Sequence, residues 1–183
     1  MNELAAIPFP ILTTERLILR KPADEDAHEI FLLRSNEAVN KFLDRPVAHS
    51  IEDAIQFIQK INNFISNKQS FYWVITLKDA LNVIGTITLF NFSEENTCAE
   101  IGYELLPAYQ GKGLMQEALK TVIGFAFKNA GFKKLVAFTH IENASSYRLL
   151  EKNNFFKDMD AGCEHAPGEE PNMVIYSLVN SDE

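Results

Sequence analysis

Two glycines constrain this chain more than any other feature. Gly111 and Gly113 stand in the segment Leu105-Leu106-Pro107-Ala108-Tyr109-Gln110-Gly111-Lys112-Gly113-Leu114-Met115-Gln116-Glu117-Ala118. Upstream, about Thr97 to Leu106 reads as a strand. Downstream, Met115, Ala118, Leu119, Val122, Ile123 and Ala126 recur at the spacing of one helix face and predict a helix over about 114–129, with Asn129-Ala130-Gly131 as its stop. A helix N-terminus leaves backbone N–H groups unpaired and carries partial positive charge. Glycines let a ligand approach that backbone, so strand, Gly-x-Gly and helix in this order form a phosphate cradle. Alone, the pattern is equally that of a flexible strand-to-helix connection. It is not a P-loop, because no Gly-Lys-Ser/Thr follows at the required spacing. Nor is it the dinucleotide fingerprint, because Gln116 stands where the third glycine belongs.

The rest of the chain supplies a sheet and its covering helices. Arg16 to Arg20 alternates as a short strand, ended by Pro22. Asp24 is expected to cap a helix carrying Ala27, Ile30, Phe31 and Ala38 on one side. Ser50-Ile51-Glu52-Asp53 is a capping box before a helix with Ile51, Ile55, Ile58, Ile61 and Ile65 at helical spacing. Phe71–Leu77, Val83–Phe90 and Thr97–Leu106 form a meander of three antiparallel strands. After the 114–129 helix come a strand from Lys134 to Thr139, a helix from Ala144 to Asn153, a strand opening at Phe155-Phe156, and a last strand from Met173 to Val179. The order β-α-α-β-β-β-α-β-α-β-β predicts an α/β or α+β fold with helices packed on a sheet. With no repeat or linker, residues 1–183 are expected to form one domain.

Charge and composition narrow the partners. The 25 acidic and 17 basic residues leave a net charge of −8, which opposes general affinity for nucleic acid or anionic membrane and suits a cationic partner. No stretch approaches the ~18 apolar residues of a membrane span, and the start lacks the basic and apolar regions of a signal peptide. Cys98 and Cys163 are too few for a disulfide scaffold or a four-thiolate zinc site, and His28, His49, His140 and His165 show no ligand spacing. The expectation is a cytoplasmic protein without a metal.

Four segments, in order, carry a family pattern: Leu12-Thr13-Thr14-Glu15-Arg16-Leu17-Ile18-Leu19-Arg20, Ala99-Glu100-Ile101-Gly102-Tyr103, Gln110-Gly111-Lys112-Gly113-Leu114-Met115, and Asn143-Ala144-Ser145-Ser146 with its helix to Phe155. Together they resemble the GNAT superfamily of acetyl-CoA-dependent N-acyltransferases, and the first resembles the opening of the Rim-type ribosomal-protein N-acetyltransferases. Two positions depart from the pattern: Met115 replaces the last Gly/Ala of the phosphate loop, and Asn154 replaces the glycine before Phe155. Met115 still offers a backbone N–H while its side chain enters the core, and Asn tolerates positive φ.

The resemblance implies a mixed, mostly antiparallel, splayed sheet of about seven strands with helices on both faces. It implies acetyl-CoA as co-substrate, with pantetheine along Glu104, Leu105 and Leu106 and pyrophosphate on the amides of Gln110, Gly111, Lys112, Gly113, Leu114 and Met115. The Lys112 side chain is either a phosphate contact or merely solvated. Asn143 is an N-cap, a pantetheine contact, or both. Family members commonly place a tyrosine at the position of Leu150; here Ser146 is the expected partner of the leaving sulfur, with helix capping as its alternative. An alkylammonium must lose a proton before it attacks. Glu100 is the first candidate base and Glu104 the second, both on one face with Gly102 and Leu106 if the strand is regular. Each is otherwise a surface carboxylate. The expected acceptor is the N-terminal amine of a protein or peptide, possibly basic in character as the net charge suits. The alternatives are a small amine and a non-catalytic acyl-CoA sensor. Acceptor specificity is expected in residues 24–68 and the loop 158–172, and the oligomeric state, monomer or homodimer, is left open.

Overall fold

A computed structural model describes residues 7–158 and 172–180. Its elements in chain order are β1 (Leu12–Thr13), β2 (Leu17–Arg20), α1 (Ala27–Ser35), α2 (Glu37–Asn40), α3 (Ile51–Ser66), β3 (Phe71–Leu77), β4 (Ala80–Phe90), β5 (Cys98–Leu105), α4 (Leu114–Lys128), β6 (Lys134–His140), α5 (Ala144–Lys152), β7 (Phe156–Lys157) and β8 (Met173–Val179). Among the described residues, eight strands form one sheet in the order β1-β2-β3-β4-β5-β6-β8-β7. The strand beyond the expected seven is β1, whose two residues are too few to display a period.

Alternation along the strands builds two cores. Leu17, Leu19, Phe71, Trp73, Ile75, Ile87, Leu89, Ala99 and Ile101 face one side, where α4 buries Leu114, Met115, Ala118, Leu119, Val122, Phe125 and Ala126. Tyr72, Val74 and Val83 face the other, against Ala27 and Ile30 of α1 and Ala54, Ile58 and Ile65 of α3. The capping box of α3 forms as expected: Asp53 N–H donates to Ser50 Oγ at 3.2 Å, and Ser50 N–H donates to Asp53 Oδ2 at 3.0 Å.

The single helix expected after Asp24 does not form. Residues Asp24–Asp26 make a 3-10 turn, and α1 ends at Ser35. Asn36 takes extended backbone angles and its side chain accepts from Val39 N–H at 3.1 Å, which starts α2 on a new axis and leaves Ala38 exposed. A short polar side chain competes with the helix for backbone bonds and wins here. At the start of the same segment the anchor is buried Asp26 rather than Asp24. It accepts two bonds from Arg20, at 2.7 and 2.6 Å, and one from Ala23 N–H at 2.8 Å.

The functional consequence of the topology lies between β5 and β6. Among the described residues this is the parallel pairing in an otherwise antiparallel sheet, and it covers Cys98–Glu100 against Lys134–Val136. Beyond Glu100 and Val136 the two strands keep their outer partners, β4 as far as Leu105 and β8 as far as His140, but not each other. The sheet is therefore split into a V.

Candidate active site

The V exposes backbone that a regular sheet would pair. Leu106 N–H donates to Ile84 carbonyl at 2.9 Å, so Leu106 is turned toward β4 rather than the gap. Neighbouring residues of an antiparallel strand present their backbone groups to opposite sides. Leu105 and Tyr103 therefore face the gap, and Leu105 carbonyl accepts Gln110 Nε2 at 2.8 Å. That bond ties the end of β5 to the glycine loop.

The loop itself has the form of an anion cradle. Gly111 and Gly113 adopt φ of +72° and +75°, a region costly for side chains with a Cβ, and a Cβ on Gly111 would meet nothing within 4 Å. Gly113 is the N-cap residue of α4. Leu114 and Met115 bury their side chains in the core, as expected of Met115, so the backbone is what they present at the helix start. Lys112 is exposed, with its Nζ 5.6 Å from the Tyr109 ring centroid. A clamp from the far edge of the sheet secures the loop. Arg16 Nη1 donates to Lys112 carbonyl at 3.0 Å, and Arg16 Nε donates to Glu117 Oε2 at 2.7 Å. Glu117 also accepts from Thr14 Oγ1 and from Arg16 N–H. Burial pushes the Glu117 carboxyl up, but these bonds outweigh it and hold it below the usual range.

Across the gap, α5 begins at a capped turn. Asn143 Oδ1 accepts from Ser146 N–H at 3.2 Å and from Ser145 Oγ at 2.8 Å, so Asn143 is the cap. The Ser146 hydroxyl instead meets the Tyr103 hydroxyl of β5 at 3.0 Å, and either oxygen can donate. Burial pushes the Tyr103 phenol up to about 12, with the Ser146 bond acting in the opposite sense. Asn154, at φ +64°, ends the α5 turn in the role expected of it.

The two carboxylates lie on the opposite face. β4 and β5 keep a continuous register from Gly85–Leu105 to Phe90–Glu100, so Glu100, Gly102 and Glu104 share one face, as a regular strand requires. Glu100 is half-buried at the last residue before the V opens, and it accepts from Asn91 Nδ2 at 2.8 Å. Burial pushes its carboxyl up to about 7, while the Asn91 bond lowers it. Glu104 lies deeper, with its side chain 8% exposed; it accepts from Thr86 Oγ1 at 3.1 Å, and its Oε2 lies 2.6 Å from Arg45 Nη2. Arg45 stands in the segment between α2 and α3, where Phe42 stacks on His140 of β6 with centroids 5.4 Å apart. That segment thus spans both arms of the V.

Tyr103, Arg16, Glu117 and Arg45 were not singled out by motif as partners in these contacts. Their partners lie 43, 101, 101 and 59 positions away, separations over which local patterns carry no signal. In β3, Phe71 and Trp73 join the core under α4, and Tyr72 is buried in the core of the other face, the face that carries Glu104. Cys163, His165 and most of the loop 158–172 lie outside the described residues. Among the described residues no three His, Cys, Asp or Glu side chains group as metal ligands, and no helix is long and apolar enough to cross a membrane.

Residues 16–155 match the family model of the Acetyltransferase (GNAT) domain. An uncharacterised N-acetyltransferase of Bacillus subtilis, YoaA, is 36% identical over 150 residues, which cover 82% of this chain and 85% of that protein. The ribosomal protein uS5 alanine N-acetyltransferase of Escherichia coli is 28% identical over 160 residues, covering 83% and 81%. Among solved structures, a ribosomal-protein-S5-alanine acetyltransferase from Vibrio fischeri superposes with a TM-score of 0.79 at 23% identity, over 94% of this chain and 98% of that one. The microcin C7 self-immunity acetyltransferase MccE, in complex with acetyl-CoA and AMP, gives 0.78 at 23% identity over 97% and 99%. A match across most of the chain, on a sheet split between β5 and β6, makes this protein an N-acetyltransferase of the GNAT family.

Proposed function

We propose that this protein, acting as one domain, transfers the acetyl group of acetyl-CoA to the N-terminal amine of a protein or peptide. The observation that carries the reading is the V between β5 and β6, with the glycine loop at one end and the Tyr103–Ser146 contact reaching across it. The residues fit the co-substrate. The exposed loop at Gly111 and Gly113 would take its phosphates, and the inward backbone of Tyr103 and Leu105 would pair with pantetheine as a missing strand would. Asn143 keeps its side-chain amide for the same chain while its oxygen caps α5.

Each residue then has a step. Glu100, poised near neutrality on the acceptor face, takes a proton from the ammonium, directly or through water. The freed lone pair forms the new C–N bond at the thioester carbonyl carbon. The carbonyl π pair moves to oxygen and returns as the C–S bond breaks, and the nitrogen releases its second proton to solvent. Ser146 Oγ donates a hydrogen bond or proton to the sulfur, backed by the Tyr103 phenol of β5 where α5 carries Leu150, and any proton the pair gives up returns to it from solvent. Glu104, engaged with Arg45 and Thr86, is a positioning group in this scheme.

The test is thiol release from acetyl-CoA against N-terminal peptides, polyamines, amino acids and aminoglycosides. Turnover confined to peptides supports the reading. Turnover confined to small amines moves the acceptor class, and acetyl-CoA binding without turnover across the panel would make the protein a sensor.

A further inference from the structure

On the face that carries Glu104, one guanidinium is paired with that carboxylate and a second, on α1, packs over an aromatic ring. Arg45 Nη2 and Glu104 Oε2 form an ion pair at 2.6 Å, shut off from solvent. Arg45 Nε donates to Asn40 Oδ1 at 2.8 Å, and Asn40 Nδ2 donates to Arg34 carbonyl at 2.9 Å, so Asn40 links the two arginines. Arg34, in the last turn of α1, is partly buried and lies 3.9 Å over the Phe57 ring. Among the described residues its guanidinium has no ion pair or hydrogen bond. It borders a pocket of about 370 Å³ between the 46–49 segment and the first turns of α3. The other charged group there, Asp53, is occupied by His49 and Ser50 N–H at 2.7 and 3.0 Å. Burial, then the nearby Arg45, lowers the Arg34 pKa, while Glu104 and Tyr72 act in the opposite sense. Glu104 and Asp53 balance Arg45 and Arg34 in number, but both carboxylates already have partners and the Arg34 guanidinium has none.

We infer that Arg34 and Arg45 select an acceptor that carries a carboxylate close to its amine. This rests on the acetyltransferase reading and specifies its acceptor. An entering carboxylate would supply Arg34 with the partner it lacks and share Arg45, while Glu104 Oε2 turns toward the incoming ammonium. The carboxylate can come from an Asp or Glu side chain beside a peptide N-terminus or from the α-carboxylate of an amino acid. A wholly basic acceptor would leave the Arg34 guanidinium without a partner.

The test compares kcat/KM for hexapeptides differing only in Asp, Asn or Lys at the second position, and for free aspartate and its diamide. The Asp peptide or free aspartate should exceed its neutral counterpart about tenfold, mainly through KM, as a charge-assisted bond to guanidinium implies. Arg34→Gln should collapse that ratio to under twofold, and Arg34→Lys should restore part of it. Equal ratios in the parent, or a preference that survives Arg34→Gln, would overturn the inference. Should no acceptor turn over, calorimetry of the N-acetylated Asp and Asn peptides in the presence of CoA reads the preference separately; equal Kd values there would also overturn it.

Discussion

The hydroxyl groups of Tyr103 and Ser146 lie 3.0 Å apart, joining β5 to α5 across the opening of the sheet. Burial keeps the phenol protonated, up to about 12, so it can serve as a donor throughout the working range. If this pair stabilises the leaving thiolate, its effect belongs to the transition state rather than to binding. Ser146→Ala should therefore lower kcat by about 10–100-fold while the Kd for acetyl-CoA stays within threefold, and Tyr103→Phe should lower kcat by about tenfold. The double variant should be little worse than Ser146→Ala, because the two act in series. Single-turnover kinetics make the check, and an undiminished chemical step in Ser146→Ala returns that residue to structure.

Gly113 permits a sharper test of the phosphate loop than its neighbour. Both glycines sit at positive φ, but Gly113 begins α4, where the cradle meets the helix end. Gly113→Val should weaken acetyl-CoA binding at least tenfold, through a β-branched side chain in a region it rarely adopts and over amides the phosphates need. Gly111→Ala meets open space and should carry mainly the backbone cost of a Cβ at positive φ, on the order of 1 kcal/mol. Circular dichroism confirms folding, and calorimetry reads the affinity. Unchanged affinity in folded Gly113→Val would remove the loop from the binding site.

The division between what the sequence discloses and what it hides follows contact range. The face of α4, the capping box of α3 and the alternation of β5 are set by residues within a turn or two, and each is legible as a pattern. Glycines 111 and 113 are legible for the same reason, since a conformational demand falls on the residue itself. The break at Asn36 is hidden in the sequence because its cap competes with a helix that propensity alone would continue. Tyr103 with Ser146, and Glu104 with Arg45, depend on how β5 packs beneath separate elements. The motifs indicate Ser146 and Glu104 but not what they touch.

Arg16 should matter to a loop almost a hundred residues away. Its bonds to Lys112 carbonyl and Glu117 hold the cradle to the β1–β2 edge. Arg16→Ala should raise the Kd for acetyl-CoA about 5–10-fold and lower Tm by a few degrees, consistent with loss of charge-assisted bonds. Glu117→Gln separates the ionic part. The folded carboxyl titrates below its ordinary value of 4.5, so its stabilisation is present above that pH and is lost as pH falls through the lower folded value. The Tm deficit of Glu117→Gln should thus be full at pH 7 and shrink below pH 4. A deficit that does not depend on pH would mean that the clamp acts through shape alone.

Glu100 links stability and activity through one titration. Its folded pKa, about 7, lies above the ordinary 4.5, so the folded state holds the proton more tightly than the unfolded chain. That contribution is fully present below pH 4.5 and is lost as pH rises through 7. Glu100→Gln, which cannot ionise, should match the parent in Tm near pH 4 and exceed it by a few degrees at pH 8. Activity should run the other way, because only the ionised carboxylate accepts a proton. Parent kcat/KM should rise through an apparent pKa near 7, and Glu100→Gln should lose about 100-fold at pH 7, recovering part as free amine becomes abundant at high pH. Matching midpoints in the two experiments would tie the base to this residue. A raised Tm at pH 8 with an unaltered pH–rate profile would make Glu100 a buried carboxyl that takes no part in proton transfer, and Glu104 would be the next base to test.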